Sequence, residues 1–191
     1  MNKQQFMQRF SFHDLSLQPS TFKHLGHAKE AGVLIPLVAG TKGLEVILTR
    51  RASHLKHHPG QISFPGGKVE PEDLNLQHTA LREAQEEIGL SPSDVDVFGQ
   101  LPQYQTLTGY VITPILGFIP SNYDFKVDSN EVAEVFQVPF SHFINERNHL
   151  HVPINRDGHT HTVYFMPYLH YNIWGATAAI MKDLVTHLKL D

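Results

Sequence analysis

Short apolar runs separated by turn residues dominate the chain, and two stretches instead repeat their apolar residues at helical spacing. Val33 to Val38 is a compact apolar run ended by Ala39-Gly40, Thr41-Lys42-Gly43 supplies turn chemistry, and Leu44 to Thr49 is a second run. Together they predict a hairpin. Asp94 to Leu101, Tyr110 to Ile119 and Val132 to Val138 read as further strands, and Thr160 to Asn172, rich in Thr, Val, Tyr and Phe, adds at least one more. Thr79 to Ile88 carries Leu81, Ala84 and Ile88 at spacings of three and four, with Gly89 placed as a terminator. Ala176 to Leu188 is a second helix with Ile180, Leu184, Val185 and Leu188 on its apolar face. A short helix over Gln4 to Leu15 would set Phe6, Phe10 and Leu15 loosely on one side. Strands interrupted by one helix and closed by another predict an α+β fold or a layered α/β sandwich. No repeat, low-complexity tract or Pro/Gly/Ser-rich linker divides the chain, so residues 1–29 read as an N-terminal extension and 30–191 as a single domain.

Composition narrows the class. The 191 residues are 41% hydrophobic, 18% charged and 10% aromatic, which suits a globular domain with a real core. Lys and Arg number 15 against 19 Asp and Glu, a net charge of −4, so no basic excess points to nucleic acid. The 14 histidines would reverse that sign in mild acid. With no Cys there are no disulfides, thiolate zinc sites or cysteine nucleophiles. The His149, His151, His159, His161 and His170 group has no metal-ligand spacing. Neither a secretory signal nor the roughly 20 apolar residues of a membrane span is present. The expectation is a cytoplasmic protein with no membrane partner, and a homodimer is left open.

The chemistry lies between Leu48 and Leu90. At 3.6 residues per turn, Glu83, Glu86 and Glu87 share one helix face, and like charges at these spacings repel. A hard divalent cation would relieve that repulsion, since Mg²⁺ prefers oxygen ligands and is commonly shared with phosphates. Spacing alone fits a solvated acidic face equally well, with Arg82 offsetting Glu86 at i,i+4. Upstream stands Phe64-Pro65-Gly66-Gly67-Lys68-Val69-Glu70, whose glycine pair lets backbone groups approach an ion or phosphate closely. A glycine loop feeding a glutamate-bearing helix is a more demanding coincidence than either alone.

Gly67 to Leu90 resembles the Nudix box, a glycine loop and helix ending in Arg-Glu-hydrophobic-any-Glu-Glu-any-Gly-hydrophobic. Residues 82 to 90 match that ending at every specified position, with Ala84 in the hydrophobic slot. The acidic residue expected before Arg82 falls at Asp73, an Asp for Glu with one residue more in the connection, as the coenzyme A branch tolerates. Just upstream, Ile47-Leu48-Thr49-Arg50-Arg51-Ala52, Lys56, Gly60 and Phe64-Pro65-Gly66-Gly67 resemble the coenzyme A pyrophosphatase signature, with Ile47 for Leu and Lys56 for Arg. Leu107 to Tyr110, Thr113-Pro114 and Trp174-Gly175 also look like bacterial members.

The resemblance implies a Nudix fold: an α/β/α sandwich with a mixed β-sheet and a catalytic loop and helix. It implies metal-dependent cleavage of coenzyme A or its derivatives to 3′,5′-ADP and (acyl-)4′-phosphopantetheine, with Mg²⁺ or Mn²⁺ as cofactor. Glu83 and Glu87 would be the main metal ligands and Glu86 a third carboxylate. Arg82 would fix a carboxylate, and Gly67 could offer its carbonyl. Arg50, Arg51, Lys56, Gly66 and Gly67 would meet the substrate. His54, His57 and His58 read first as surface residues, although phosphate contact is another use for them. The group that takes the water proton is a box glutamate, Glu131 or Glu134. Rival readings are hydrolysis of ADP-ribose, nucleotide sugars or dinucleotides, a non-catalytic Nudix-like module, and an interaction protein with an acidic helix.

Overall fold

A computed structural model describes residues 1–12, 28–156 and 158–189. Helix α1 (Lys3–Phe12) precedes β1 (Lys29–Gly40) and β2 (Gly43–Arg51), which form the expected hairpin around a two-residue turn. Two very short strands follow, β3 (Ile62–Ser63) and β4 (Gly66–Lys68), and then helix α2 (Leu76–Ile88). The chain continues through β5 (Asp96–Gln100), β6 (Tyr104–Gln105), β7 (Tyr110–Ile119), β8 (Val132–Pro139) and α3 (Phe140–Ile144). It closes with a separate ribbon of β9 (Leu150–Arg156) and β10 (His159–Phe165) and helix α4 (Ala176–His187). Leu15, the proposed end of the first helix, lies outside the described residues.

The main sheet is mixed. β1 runs parallel to β7 from Lys29 to Val38, while its other edge is shared. The C-terminal end of β1 pairs antiparallel with β2, and its N-terminal end pairs with β4. β2 in turn leaves β1, takes β3 at Thr49 and Arg50, and pairs with β8 along its other edge. The sheet therefore splays between β3 and β4, and the carboxylate-bearing part of α2 lies against the splayed end.

Strand alternation builds two cores. Leu34, Val38, Ile47, Ile115 and Ile119 face one way and pack under Ala80, Ala84 and Ile88 of α2. Ile35, Leu37, Val46, Leu48, Leu116 and Phe118 face the other way, against Phe6 and Phe10 of α1 and Ile180, Leu184 and Val185 of α4. The result is an α/β/α sandwich, and α1 contributes to its core. Among the described residues, no helix is long and apolar enough to cross a membrane.

Candidate active site

Helix α2 has defined ends and one buried face, which fixes where its acids point. The Asn75 side chain accepts from the His78 amide at 2.9 Å, an N-cap that satisfies a first-turn donor. Gly89 ends the helix at φ 67°, a left-handed conformation suited to glycine, and its amide returns to the Gln85 carbonyl at 2.9 Å. With Ala80, Ala84 and Ile88 docked on the sheet, the three glutamates form a gradient and not a uniform solvated face. The Glu86 side chain is 57% exposed and Glu83 15%, whereas Glu87 is nearly sealed at 3%.

Glu87 is sealed by the glycine loop and by β2. The Gly66 amide donates to Glu87 Oε2 at 3.2 Å, and Arg51 Nη1 lies 3.6 Å from Glu87 Oε1. Burial pushes the Glu87 carboxyl up to about 8, with the charges of Glu83 and Glu131 adding to that, while the Gly66 hydrogen bond and Arg51 oppose it. Glu83 is also raised, again chiefly by burial, despite Arg82 beside it. Gly67 permits this packing: a β-carbon there would stand 2.3 Å from Glu83 Oε1. The loop glycine leaves the volume that the carboxylate fills.

Arg82 is the hub that holds the loop to the helix. Its Nε donates to Asp73 Oδ1 and its Nη2 to Asp73 Oδ2, both at 3.0 Å, the bidentate pairing that suits a guanidinium. The Asp73 side chain is covered and also accepts from Thr79 Oγ1 and the Glu70 amide, each at 2.9 Å, with His78 Nδ1 at the same distance. The guanidinium holds the Asp73 carboxyl well below the usual carboxylate range. Arg82 also donates to the Lys68 carbonyl at 3.1 Å, to Glu83 at 3.2 Å and to Glu86 at 2.9 Å. The shorter acid at position 73, with its longer connection, reaches Arg82 without a gap.

The two later acids part company. The Glu131 charge raises both Glu83 and Glu87, and the Ala52 amide donates to the Glu131 carbonyl at 2.8 Å, tying this segment to the end of β2. Glu134 is committed elsewhere: Arg50 Nη2 lies 3.0 Å from its Oε2, and the Tyr171 hydroxyl donates to its Oε1 at 2.5 Å. Arg50 and Arg51, consecutive on a strand, thus point to opposite faces of the sheet. Lys56, His54, His57 and His58 lie exposed in the loop between β2 and β3. Tyr171 is a partner that sequence reasoning missed, since it sits in a turn bridged from Tyr168 and not in a continuous strand.

Among the described residues, no three acidic or histidine side chains converge as a ready-made ion cage. Glu83 and Glu86 turn toward Arg82, and Glu87 toward the Gly66 amide. The donor chemistry nonetheless fits a hard divalent cation. Two mutually repelling, partly dehydrated carboxylates lie one helical turn apart beside a glycine backbone, an all-oxygen set.

The comparisons with known proteins agree with this geometry. Residues 28–157 match the NUDIX domain. The chain is 39% identical over 184 residues to the Enterobacter sp. (strain 638) protein called uncharacterized Nudix hydrolase NudL, covering 96% of this chain and 93% of the relative. The protein of the same name from Klebsiella pneumoniae (strain 342) is 36% identical over 189 residues, covering 98% and 95%. Among solved structures, a Nudix hydrolase from Alicyclobacillus acidocaldarius superposes with a TM-score of 0.52 at 17% identity, covering 85% of this chain and 93% of that one. That likeness speaks to the fold.

Proposed function

The chain belongs to the Nudix hydrolase family, and from that premise we propose that it hydrolyses the pyrophosphate bond of coenzyme A or its acyl derivatives. Hydrolases of this family are pyrophosphohydrolases of nucleoside diphosphate derivatives and work with divalent cations such as Mg²⁺ or Mn²⁺. The observation that supports the finer reading is the meeting of the two motifs at Glu87. Arg51, from the segment resembling the coenzyme A signature, and Gly66, from the glycine loop, both approach the carboxylate of the box helix.

In this reading Glu83 and Glu87 would hold the cation, with Glu86 available as a third carboxylate. Bound there, a divalent cation would supply neutralisation of phosphate charge and activation of water. Arg51 stands on the other side of Glu87 to take up diphosphate charge, and Arg82 keeps Glu83 oriented while anchored on Asp73. A water oxygen attacks one phosphorus, the bond from that phosphorus to the bridging oxygen breaks, and two phosphate monoesters leave: 3′,5′-ADP and 4′-phosphopantetheine. The water proton passes to Glu131 or to a box glutamate. Glu134 is unsuited to that task while Arg50 and Tyr171 hold it.

The test is turnover of coenzyme A, acetyl-coenzyme A, ADP-ribose and NADH in parallel with Mg²⁺ or Mn²⁺, with products identified by mass spectrometry. The coenzyme A compounds should have the highest kcat/KM. Faster turnover of ADP-ribose or NADH would replace this reading with another Nudix activity.

A further inference from the structure

On the far side of Arg50 from the carboxylates lies an open cleft of about 490 Å³, within the range of small-molecule sites. Its walls are the end of β2, the loop around His58 to Ile62, and the segment from His170 to Trp174. His170 lies in the tight turn that Tyr168 and Tyr171 close, and beyond it Tyr171 and Ile173 are buried while Asn172 and Trp174 are exposed. The Trp174 indole rests against Phe165, ring centroids 6.0 Å apart and planes 12° apart, and is 39% exposed. Trp174, Asn172 and Gln61 line the same cleft, and an aromatic face together with amide side chains is the chemistry that receives a planar base: a face to stack on and groups to read its edge. A pantetheine arm, whose two amides would also pair with Asn172 and Gln61, has no ring to lay on the Trp174 face.

The position of the cleft relative to the carboxylates agrees. Arg51 contacts Glu87 on one face of the strand, and its neighbour Arg50 lines the cleft on the other. The Arg50 guanidinium is held by Glu134, which the Tyr171 hydroxyl also grips, and Tyr171 is itself stacked on Phe136 with ring centroids 3.7 Å apart. The cleft wall is therefore braced from the core. Because Arg50 and Arg51 are adjacent on β2, the cleft and the carboxylates share the end of one strand.

We infer that this cleft is the nucleobase subsite, in which the adenine ring of the substrate stacks on Trp174 with Asn172 and Gln61 at its edge. The inference rests on the pyrophosphohydrolase reading and assigns the adenosine half of the substrate to one place.

Trp174 is the only tryptophan of the chain, so its fluorescence reports on the cleft directly. The metal-free protein, in chelator, is titrated with 3′,5′-ADP, AMP, ADP-ribose and 4′-phosphopantetheine, with excitation at the red edge of indole absorption. The three adenine compounds should quench the emission saturably, and 4′-phosphopantetheine should not. In steady-state assays Trp174→Ala should raise KM for coenzyme A roughly tenfold with kcat little changed, Trp174→Phe should restore most of the loss, and Asn172→Ala should raise KM by a smaller factor. Quenching by 4′-phosphopantetheine alone would give the cleft to the other half of the substrate. No quenching by any compound, with KM unchanged in Trp174→Ala, would remove the cleft from the site even if coenzyme A is hydrolysed. Quenching by adenine compounds with turnover of ADP-ribose and not coenzyme A would keep the subsite and overturn the substrate reading instead.

Discussion

Replacing Glu87 by Gln should stabilise the metal-free protein in alkaline buffer while abolishing its response to metal. The Glu87 side chain is only 3% exposed, and burial pushes its carboxyl from the usual 4.5 up to about 8. A carboxyl raised on folding binds its proton more tightly in the native state than in the unfolded one. Its contribution therefore erodes stability as pH rises from about 4.5 to about 8, and the penalty stays constant above that. At roughly 1.4 kcal/mol per pH unit, the penalty in chelator at pH 8.5 is of the order of a few kcal/mol. For a chain of this length that is on the order of 10–20 °C in Tm. Burial lowers His142, which acts in the opposite sense, but only as pH falls below its ordinary 6.5. The wild-type-minus-variant difference cancels it, along with the raised carboxyl of Asp183. The assay is thermal unfolding in chelator and in saturating Mn²⁺ at several pH values from 5.5 to 9. Expected is a Tm advantage for Glu87→Gln that is smallest at pH 5.5 and grows progressively to pH 8.5, with Mn²⁺ raising only the wild type. A variant less stable than the wild type at pH 8.5 in chelator would refute the reasoning.

Three further outcomes follow from other contacts. Asp73→Asn keeps the shape but leaves the Arg82 guanidinium without its buried partner, so denaturant unfolding should show a loss of roughly 3 kcal/mol together with a fall in kcat. Gly67→Ala sets a β-carbon where the Glu83 carboxylate lies, and should lower kcat about a hundredfold with circular dichroism unchanged. Arg51→Ala should weaken coenzyme A and its 3′-dephospho form alike, because Arg51 stands at Glu87, whereas Lys56→Ala from the exposed loop should weaken coenzyme A more. The ratio of the two KM values distinguishes these roles.

The elements with strong periodicity were legible in the sequence. The hairpin, β7 and both long helices fall where apolar spacing puts them, and Gly89 ends α2 as its position implied. β3 and β4 are two and three residues long, too short for any period to register, yet they set the splay that admits α2. β9 escaped because Pro153 stands in its middle and all seven of its residues are exposed, so no buried face marks it. At the site, spacing placed Glu83, Glu86 and Glu87 together, but a helical wheel does not say what covers them. Only the tertiary contacts with Gly66 and Arg51 separate the sealed Glu87 from the exposed Glu86. The pairing of Glu134 with Tyr171, 37 residues apart, has no local signal at all.

The most direct test of the central claim is hydrolysis of coenzyme A in ¹⁸O-labelled water with Mg²⁺, comparing the wild type with Glu83→Gln. The wild type should yield 3′,5′-ADP and 4′-phosphopantetheine with one solvent oxygen in one of the two, and Glu83→Gln should fold normally yet release neither at a comparable rate. Intact coenzyme A after prolonged incubation with the wild type, or unimpaired release by the variant, would contradict it.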